Sequence, residues 1–250
     1  MLCSLLALAG AALANLSASE LAQGLEELRP ALDEHADARI RLSPEELAAV
    51  ATPGGIARRW EKLDGADRVI GMTWTDVPRD QLWVAMQDDD NWEGVVTGLR
   101  TEILPDSSLQ VRWLYEHVDL PWPVADRQWL IRVANNGPLM ARSGDRVWER
   151  SWEPSPRRDA MTIDDDAVWV EVNDGGWQLI QVGGGTLILY HVRSVIGGNI
   201  PDNVATRYAY STLDNMLEEL VERAHAEPEH YRGDHPPIRR PTGGEIPRFP

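Results

Sequence analysis

The sequence predicts an α+β fold, in which a curved antiparallel β-sheet wraps around a long C-terminal α-helix and an extra helical segment lies at the N-terminus. Seven or eight short segments with strand composition fill the middle of the chain, and turn residues separate them at hairpin spacing. An amphipathic pattern from residue 201 to about 226 follows these segments and predicts the long helix. The order of helices, strands and a final helix favours one antiparallel sheet over alternating parallel units.

Two helices are predicted ahead of the sheet, at residues 19–32 and 43–51. Ser43, Pro44 and Glu46 have the order of a capping box with proline at the first helical position. The pattern then predicts a short helix or turn at 56–63, a strand at 68–75 and a helix at 78–87.

The later predicted strands lie at 97–104, 109–118, 127–134, 146–152, 167–172, 177–182 and 187–195. The turns between them include Asn135-Asn136-Gly137-Pro138 and Asp174-Gly175-Gly176. Residues 228–250 are rich in Pro, Gly and Arg and poor in apolar side chains, which predicts a disordered or loosely attached tail.

The charge of the chain excludes some classes of partner. With 24 basic and 40 acidic residues in 250, the formal net charge is −16. An anionic surface repels phosphate backbones and gains nothing from anionic lipid headgroups, so we expect neither nucleic-acid binding nor polybasic membrane docking. A transient membrane contact through a local hydrophobic patch stays open. Eleven tryptophans against one phenylalanine suit either a packed core or the wall of a cavity.

The first 14 residues are apolar and end in Ala12-Leu13-Ala14, the pattern of a signal-peptide cleavage site. We therefore expect export to the periplasm or beyond, although the start lacks basic residues; a buried N-terminal helix in a cytoplasmic protein is the alternative. Cleavage would remove Cys3, the single cysteine, and with it any disulfide, thiol catalysis or cysteine-ligated metal.

Two motifs stand 80 residues apart, at 121 and 201, and neither carries catalytic chemistry. Pro121-Trp122-Pro123 lies between two predicted strands, and proline fixes φ and lacks an N–H, so this segment is a rigid corner with an indole at its apex. Gly197-Gly198-Asn199-Ile200-Pro201 is a glycine-rich turn that leads into the C-terminal helix. The pair resembles the signature of the START family, lipid-transfer domains related to steroidogenic acute regulatory protein.

The resemblance covers about residues 60–226 and implies the helix-grip fold. It divides the chain into a signal peptide (1–14), an N-terminal helical extension (15–59), a START-like domain (60–226) and a Pro/Gly/Arg-rich tail (227–250). The run Asp126-Arg127-Gln128-Trp129 is similar to the family's arginine, acid and aromatic after the corner, with Gln128 in place of the acid.

The resemblance also implies which residues line the pocket. Strand alternation puts Trp129, Ile131 and Val133 on one face, and the family's phosphatidylcholine carriers turn that face inward. Leu114 and Glu116 lie inward on the preceding strand, where Glu116 replaces an aromatic residue of those carriers. Glu93 matches an acid that contacts a cationic headgroup.

A carboxylate in an apolar cavity costs several kcal/mol unless it is paired. Glu93 and Glu116 therefore suit a ligand with a positive group or several hydroxyls, or each pairs with an arginine such as Arg100, Arg112 or Arg150. Arg150 shares a strand face with Trp148 and Trp152, and this face is either inward or on the surface. We expect Tyr208, Thr212 and Asn215 to form a polar wall on the closing helix.

The sequence predicts no cofactor and no metal site, because neither His117 nor His191 falls in a metal-binding motif. It predicts a monomer that binds or transfers a lipid or another hydrophobic small molecule without catalysis. The alternative is an enzyme like the polyketide cyclases and dehydratases, with His191, Tyr190 or Glu116 as acid–base group. An interaction module whose tryptophans fill the cavity is a third possibility.

Overall fold

The computed structural model describes residues 16–87, 99–108, 110–157, 164–198, 200 and 202–249. The predicted signal peptide and Glu93 lie outside them. The elements in chain order are α1 (Ala18–His35), α2 (Pro44–Val50), β1 (Ile56–Glu61), β2 (Arg68–Thr75), α3 (Arg79–Gln87), β3 (Leu99–Ile103), β4 (Val111–Val118), β5 (Arg127–Asn135), α4 (Gly137–Arg142), β6 (Val147–Pro154), β7 (Val168–Trp169), β8 (Val172–Val182), β9 (Gly185–Val195) and α5 (Asp202–His230). Within these ranges no helix is long and apolar enough to cross a membrane.

The described strands form one curved sheet in the order β1-β2-β9-β8-β6-β5-β4-β3, with every neighbouring pair antiparallel. The short strand β7 pairs in parallel with the start of β5. Helix α5 packs on β1, β2 and β9, while α2 packs on β1 and β2, and α1 on β8. The predicted fold class is confirmed, with the C-terminal helix against the sheet and additional helices at the N-terminus.

The sheet has an inner face toward α5 and an outer face toward α1 and α2. At Gly71 of β2 an added Cβ would lie 3.2 Å from Leu217 Cδ1, so helix and strand are in direct contact there. Because side chains alternate along a strand, each strand contributes to two cores. The inner core includes Val69, Trp148, Trp177, Leu179 and Ile188, and the outer core includes Ile70, Met72, Val147, Ile180 and Leu189.

The predicted capping box at α2 is confirmed. Ser43 Oγ accepts the N–H of Glu46 at 3.2 Å, and the Glu46 carboxylate accepts the N–H of Ser43 at 2.7 Å. Ser17 and Glu20 form the same arrangement at α1. Both helices therefore begin at defined residues.

Three local predictions were wrong. Residues 56–61 form strand β1 rather than a helix or turn, because they pair along their whole length with β2. Residues 137–142 form the short helix α4, capped by Asn136, rather than a simple turn. Asp174-Gly175-Gly176 lies within β8; its glycines make room for larger side chains, since a Cβ on Gly175 would lie 2.4 Å from Trp152 Cζ2.

The tail was also predicted wrongly, because residues after 227 pack against the core. Tyr231 is fully buried, and Ile238 and Ile246 are buried with it. The Tyr231 hydroxyl donates to Ile246 O at 2.9 Å and accepts the N–H of Ile238 at 3.0 Å. The tail has few apolar residues, but these anchor it. The buried hydroxyl of Tyr231 also provides hydrogen-bond partners for two backbone groups of the tail.

One buried guanidinium, that of Arg127, joins the two motifs. Nε donates to Ile196 O at 2.8 Å, Nη2 donates to Gly197 O at 3.0 Å, and Nη1 donates to Ala125 O. Trp122 at the apex of the corner is 92% exposed. We call this set of bonds the arginine junction; it connects the corner before β5 to the glycine turn that leads into α5.

The junction requires glycine at position 198. Gly198 has φ +68°, and a Cβ there would lie 2.9 Å from Arg127 Nη2. We expect Gly198→Ala to lower the free energy of unfolding by about 1–2 kcal/mol for the left-handed backbone, and by about 1 kcal/mol more for disturbed bonds of Arg127. Urea unfolding measures both effects.

Gly184→Ala is the matched control for this prediction. Gly184 also has a left-handed backbone, with φ +81°, but no atom lies within 4 Å of its added Cβ. The control isolates the backbone cost, so equal losses for the two variants would contradict a role for the contact with Arg127.

Candidate functional site

The register of β4, β5 and β6 brings most of the predicted pocket residues to the inner face. Leu114 pairs with Ile131, and Glu116 pairs with Trp129. On the other side of β5, Val133 pairs with Trp152, which belongs to the inner face of β6. The predicted residues on this face are Leu114, Glu116, Trp129, Ile131, Val133 and Arg150.

The apolar residues of this wall form a cluster of their own. Leu114, Ile131 and Val133 are buried and pack with the half-buried Trp129 and Trp152. The large core beneath α5 is a different cluster, and Trp152 packs against both. The β4–β5 wall and the core under α5 are therefore two apolar clusters on the same side of the sheet, joined through Trp152.

Glu116 is a carboxylate without a charged partner among the described residues. Its Oε2 accepts the indole N–H of Trp129 at 2.5 Å. Burial raises the pKa of Glu116 to about 7, and the bond from Trp129 only partly opposes this. Two of the arginines predicted as partners bond elsewhere, Arg100 to Asp119 and Arg150 to Gln87, and the pairing predicted for Glu93 lies outside the described residues.

Tyr190 of β9 lies across the interior from this carboxylate. Its ring centroid is 4.4 Å from that of Trp177 and 5.9 Å from that of Trp152. Burial, and after it the charge of Glu116, raises the pKa of Tyr190 above its usual value. The β4 and β9 sides of the interior are thus close enough for these two groups to interact electrostatically.

Arg150 is buried on β6, and Nη1 donates to Gln87 Oε1 at 2.8 Å. Burial, followed by the charge of Arg112, lowers the pKa of Arg150 to about 9. The side chain therefore stays cationic at neutral pH. Of the two locations that the sequence left open, the inner one is correct.

The predicted polar wall on α5 was wrong in its orientation. The buried stripe of α5 consists of Leu213, Leu217, Leu220 and Ala224. Tyr208 lies about 140° around the helix from Leu213 and is 69% exposed. Thr212 is half-buried, with its hydroxyl bonded to Ala209 O, and Asn215 is exposed. The amphipathic pattern predicted the helix correctly. Which of its residues are buried depends on where the helix contacts the sheet.

Solved structures with the same architecture are known. Human STARD10 superposes with a TM-score of 0.58 at 12% identity, covering 70% of this chain and 71% of that one. The chain has the helix-grip fold of START domains. A STAR-related lipid transfer protein from Xanthomonas axonopodis (fragment 25–204) gives 0.57 at 18% identity, with 68% and 93% covered. Human StAR-related lipid transfer protein 5 gives 0.57 at 11% identity, with 83% and 97% covered.

The likeness to START domains is one of structure. No family model matches the sequence. Comparison with curated proteins also found no match. The resemblance inferred from the corner and the glycine turn is therefore confirmed at the level of the START fold.

Both histidines on strands lie on the outer face of this START fold. His191 pairs with Gly176 and Ile70, whose neighbours on the same side belong to the outer core. Burial, and after it the charge of Arg68, lowers the pKa of His191 to about 4. His191 is therefore not an acid–base candidate for the interior, which corrects the earlier prediction.

His117 belongs to a polar cluster beside the corner that sequence reasoning missed. Ligand atoms of His117, Asp119 and Asp126 lie within 4.8 Å of one another. Arg100 Nη2 lies 2.9 Å from both His117 Nδ1 and Asp119 Oδ1, so a cationic side chain already contacts this cluster. The three residues flank the corner at irregular spacing, which no metal-binding motif describes.

We predict that the free energy of unfolding depends on pH and that Glu116→Gln makes this dependence weaker. The ordinary pKa of the glutamate is 4.5 and rises to about 7 in the folded protein. Between these values the folded state holds a proton that the unfolded state has lost, so the free energy of unfolding falls as pH rises. The loss is at most about 3 kcal/mol, because Glu116 keeps some accessible surface.

Glu116→Gln can still accept the Trp129 N–H, so the variant should match the wild type near pH 4 and be more stable at pH 8. Buried Glu149 on the outer face, with its pKa also raised to about 7, adds a similar slope that the variant retains. Urea unfolding across this range measures the difference, with exposed Glu102→Gln as control. An unchanged slope in Glu116→Gln would contradict the prediction.

Proposed function

We propose that the protein binds or transfers a lipid or another hydrophobic small molecule, without catalysis, in a cavity between the inner face and α5. One observation carries this proposal. Trp129 and Glu116 point to the inner side of the sheet, yet both are only half-buried beside the apolar cluster of Leu114, Ile131 and Val133. Protein interiors are close-packed, so inward side chains with accessible surface indicate space for a ligand.

The fold neighbours support the proposal by analogy. Two of them are described as StAR-related lipid transfer proteins. A fold hosts many functions, so the analogy supports a hydrophobic ligand and does not name it. Export and a monomeric state stay predictions.

Extraction of the purified protein followed by mass spectrometry tests the proposal. We expect a hydrophobic molecule to copurify with the wild type, and Leu114→Trp, which fills the space beside Ile131, to reduce the recovered amount at least about tenfold. Tyr115→Trp is the matched control, because Tyr115 is the next residue on β4 and faces outward. A folded wild type that yields no such molecule and takes up no added lipid would overturn the proposal.

A cyclase-like or dehydratase-like enzyme is the second candidate function. It is favoured by Glu116, whose pKa of about 7 suits a general acid or base, and by the nearby Tyr190. The same extraction separates the two, since a carrier returns its ligand unchanged. Turnover of a linear poly-β-ketone by the wild type but not by Glu116→Gln would favour the enzyme.

We also propose a transient membrane contact near the arginine junction. Trp122 at the corner, and Val204 and Tyr208 in the first turns of α5, are 92%, 51% and 69% exposed. The junction bonds the corner to the turn that precedes α5. Exposed indole and phenol rings suit the membrane interface, and the charge of −16 argues against ionic docking.

Trp122→Ala should weaken binding to uncharged phosphatidylcholine vesicles severalfold, while the affinity for a soluble hydrophobic ligand stays unchanged. Vesicle cosedimentation at low and high salt measures the first quantity, and high salt should not weaken it. Leu63→Ala, at an exposed apolar residue in the β1–β2 connection, serves as control. Equal vesicle binding by wild type and Trp122→Ala would contradict the contact.

A further inference from the structure

Arg150 is a buried cation whose hydrogen-bond partner is neutral. The residue is 6% exposed, and its Nη1 donates to the amide oxygen of Gln87. Its cross-strand neighbour on β5 is Asn135, a second amide. Among the residues that the structure describes, no carboxylate forms an ion pair with Arg150.

The described surroundings of Arg150 are mainly aromatic. Trp148 and Trp152 lie on the same face of β6, and Trp177 is its partner on β8. The charge of Arg112, on the inner face of β4, adds to that of Arg150 and disfavours it, together with burial. Indole faces attract a guanidinium but supply no negative charge, so among the described residues Arg150 has no counter-ion.

Such a setting normally contains a counter-ion. Moving a charge out of water costs several kcal/mol, and buried charges in proteins are paired or hydrogen-bonded. An apolar side chain of similar volume would be the more stable choice at this position. A cation kept there at a cost to stability indicates an anionic partner that is bound rather than built in.

The position of Arg150 along the sheet gives the shape of that partner. Arg150 pairs with Asn135 at one end of β5, while Glu116 pairs with Trp129 near the other end. Trp129 and Asn135 are six positions apart on β5, a distance of roughly 20 Å along the strand. Ile131 and Val133 lie between them on the same face, so an apolar strip runs from Arg150 toward Glu116.

We propose that the ligand is an anionic amphiphile, whose carboxylate or phosphate pairs with Arg150 and whose hydrocarbon chain lies along Val133 and Ile131 toward Glu116. This inference rests on the proposed function and names its ligand class. This ligand class differs from the cationic headgroup that Glu93 and Glu116 suggest in the sequence. Burial raises the pKa of Glu116 to about 7, so its carboxylate is only partly charged at neutral pH.

Oleate and oleyl alcohol are the test probes, because they share one chain and differ in charge. Each is titrated into delipidated protein near neutral pH and followed by tryptophan fluorescence. We expect the wild type to bind oleate about tenfold more tightly or better, as for a charge-assisted hydrogen bond. Arg150→Met should bind both probes with similar affinity. Oleyl phosphate, run in parallel, distinguishes a phosphate site from a carboxylate site.

Arg132→Met is the matched control. Arg132 lies on the outer face of β5, half-exposed, with its Nη1 3.3 Å from the Glu153 carboxylate. Removing its charge should leave the preference for oleate unchanged. Loss of the preference in this variant would show that it reflects overall charge and would overturn the inference.

The remaining outcomes separate the inference from the proposed function. Equal affinity of the wild type for oleate and oleyl alcohol overturns the anionic ligand and leaves a carrier of neutral lipids. No binding of any probe counts against the proposed function itself. Thermal unfolding without ligand gives a second readout: we expect Arg150→Met to melt above the wild type. A lower melting temperature would show that Arg150 is structural and would overturn the inference.

Discussion

The arginine junction fixes the relation between the β4–β5 wall and α5. In the sheet, β6 and β8 separate β5 from β9, so pairing alone does not bring the start of β5 to the end of β9. Arg127 does so by donating to carbonyls of the corner and of the glycine turn. An arginine fits because its donors are spread over a planar fork, and Gly198 is needed because a Cβ would meet that fork.

Packing of the large indoles is the second constraint, and glycine makes it possible. Trp152 lies over Gly175, and Trp74 lies over Gly185, where an added Cβ would be 2.4 Å and 2.5 Å from the ring. Trp83 and Trp148 are fully buried and meet edge to face at 5.3 Å. Some of the described tryptophans are therefore core residues, whereas Trp129 and Trp152 are half-buried on the interior wall. Indoles therefore form part of the core and part of the interior wall, and on the wall Trp129 is only half-buried.

Two carboxylates whose pKa is raised to about 7, the fully buried Glu149 and the half-buried Glu116, differ in their surroundings. Glu149 on the outer face accepts bonds from the backbone of Asp37 and from Asn136 and Gln178, so it ties the N-terminal extension to the sheet. Glu116 accepts one bond, from Trp129, and Arg150 has an amide partner. A fully bonded buried group is explained by the fold. The sparse bonding of Glu116 and Arg150 on the inner face is what the proposed ligand would account for.

The sequence by itself determined the fold class and the α2 cap, because caps are local. Strand alternation with period two, together with the family resemblance, indicated the inward face of β4 and β5 but left the face of β6 open. The sequence did not determine β1, the glycines within β8, the anchored tail or the outward position of Tyr208. Each of these depends on a distant partner: β2 for β1, the indole of Trp152 for Gly175, the core for Tyr231, and the sheet for the stripe of α5. The two amide neighbours of Arg150, Gln87 and Asn135, likewise come together only when β5, β6 and α3 meet. Local chemistry set the elements, and contacts between residues far apart in the chain decided what the interior can hold.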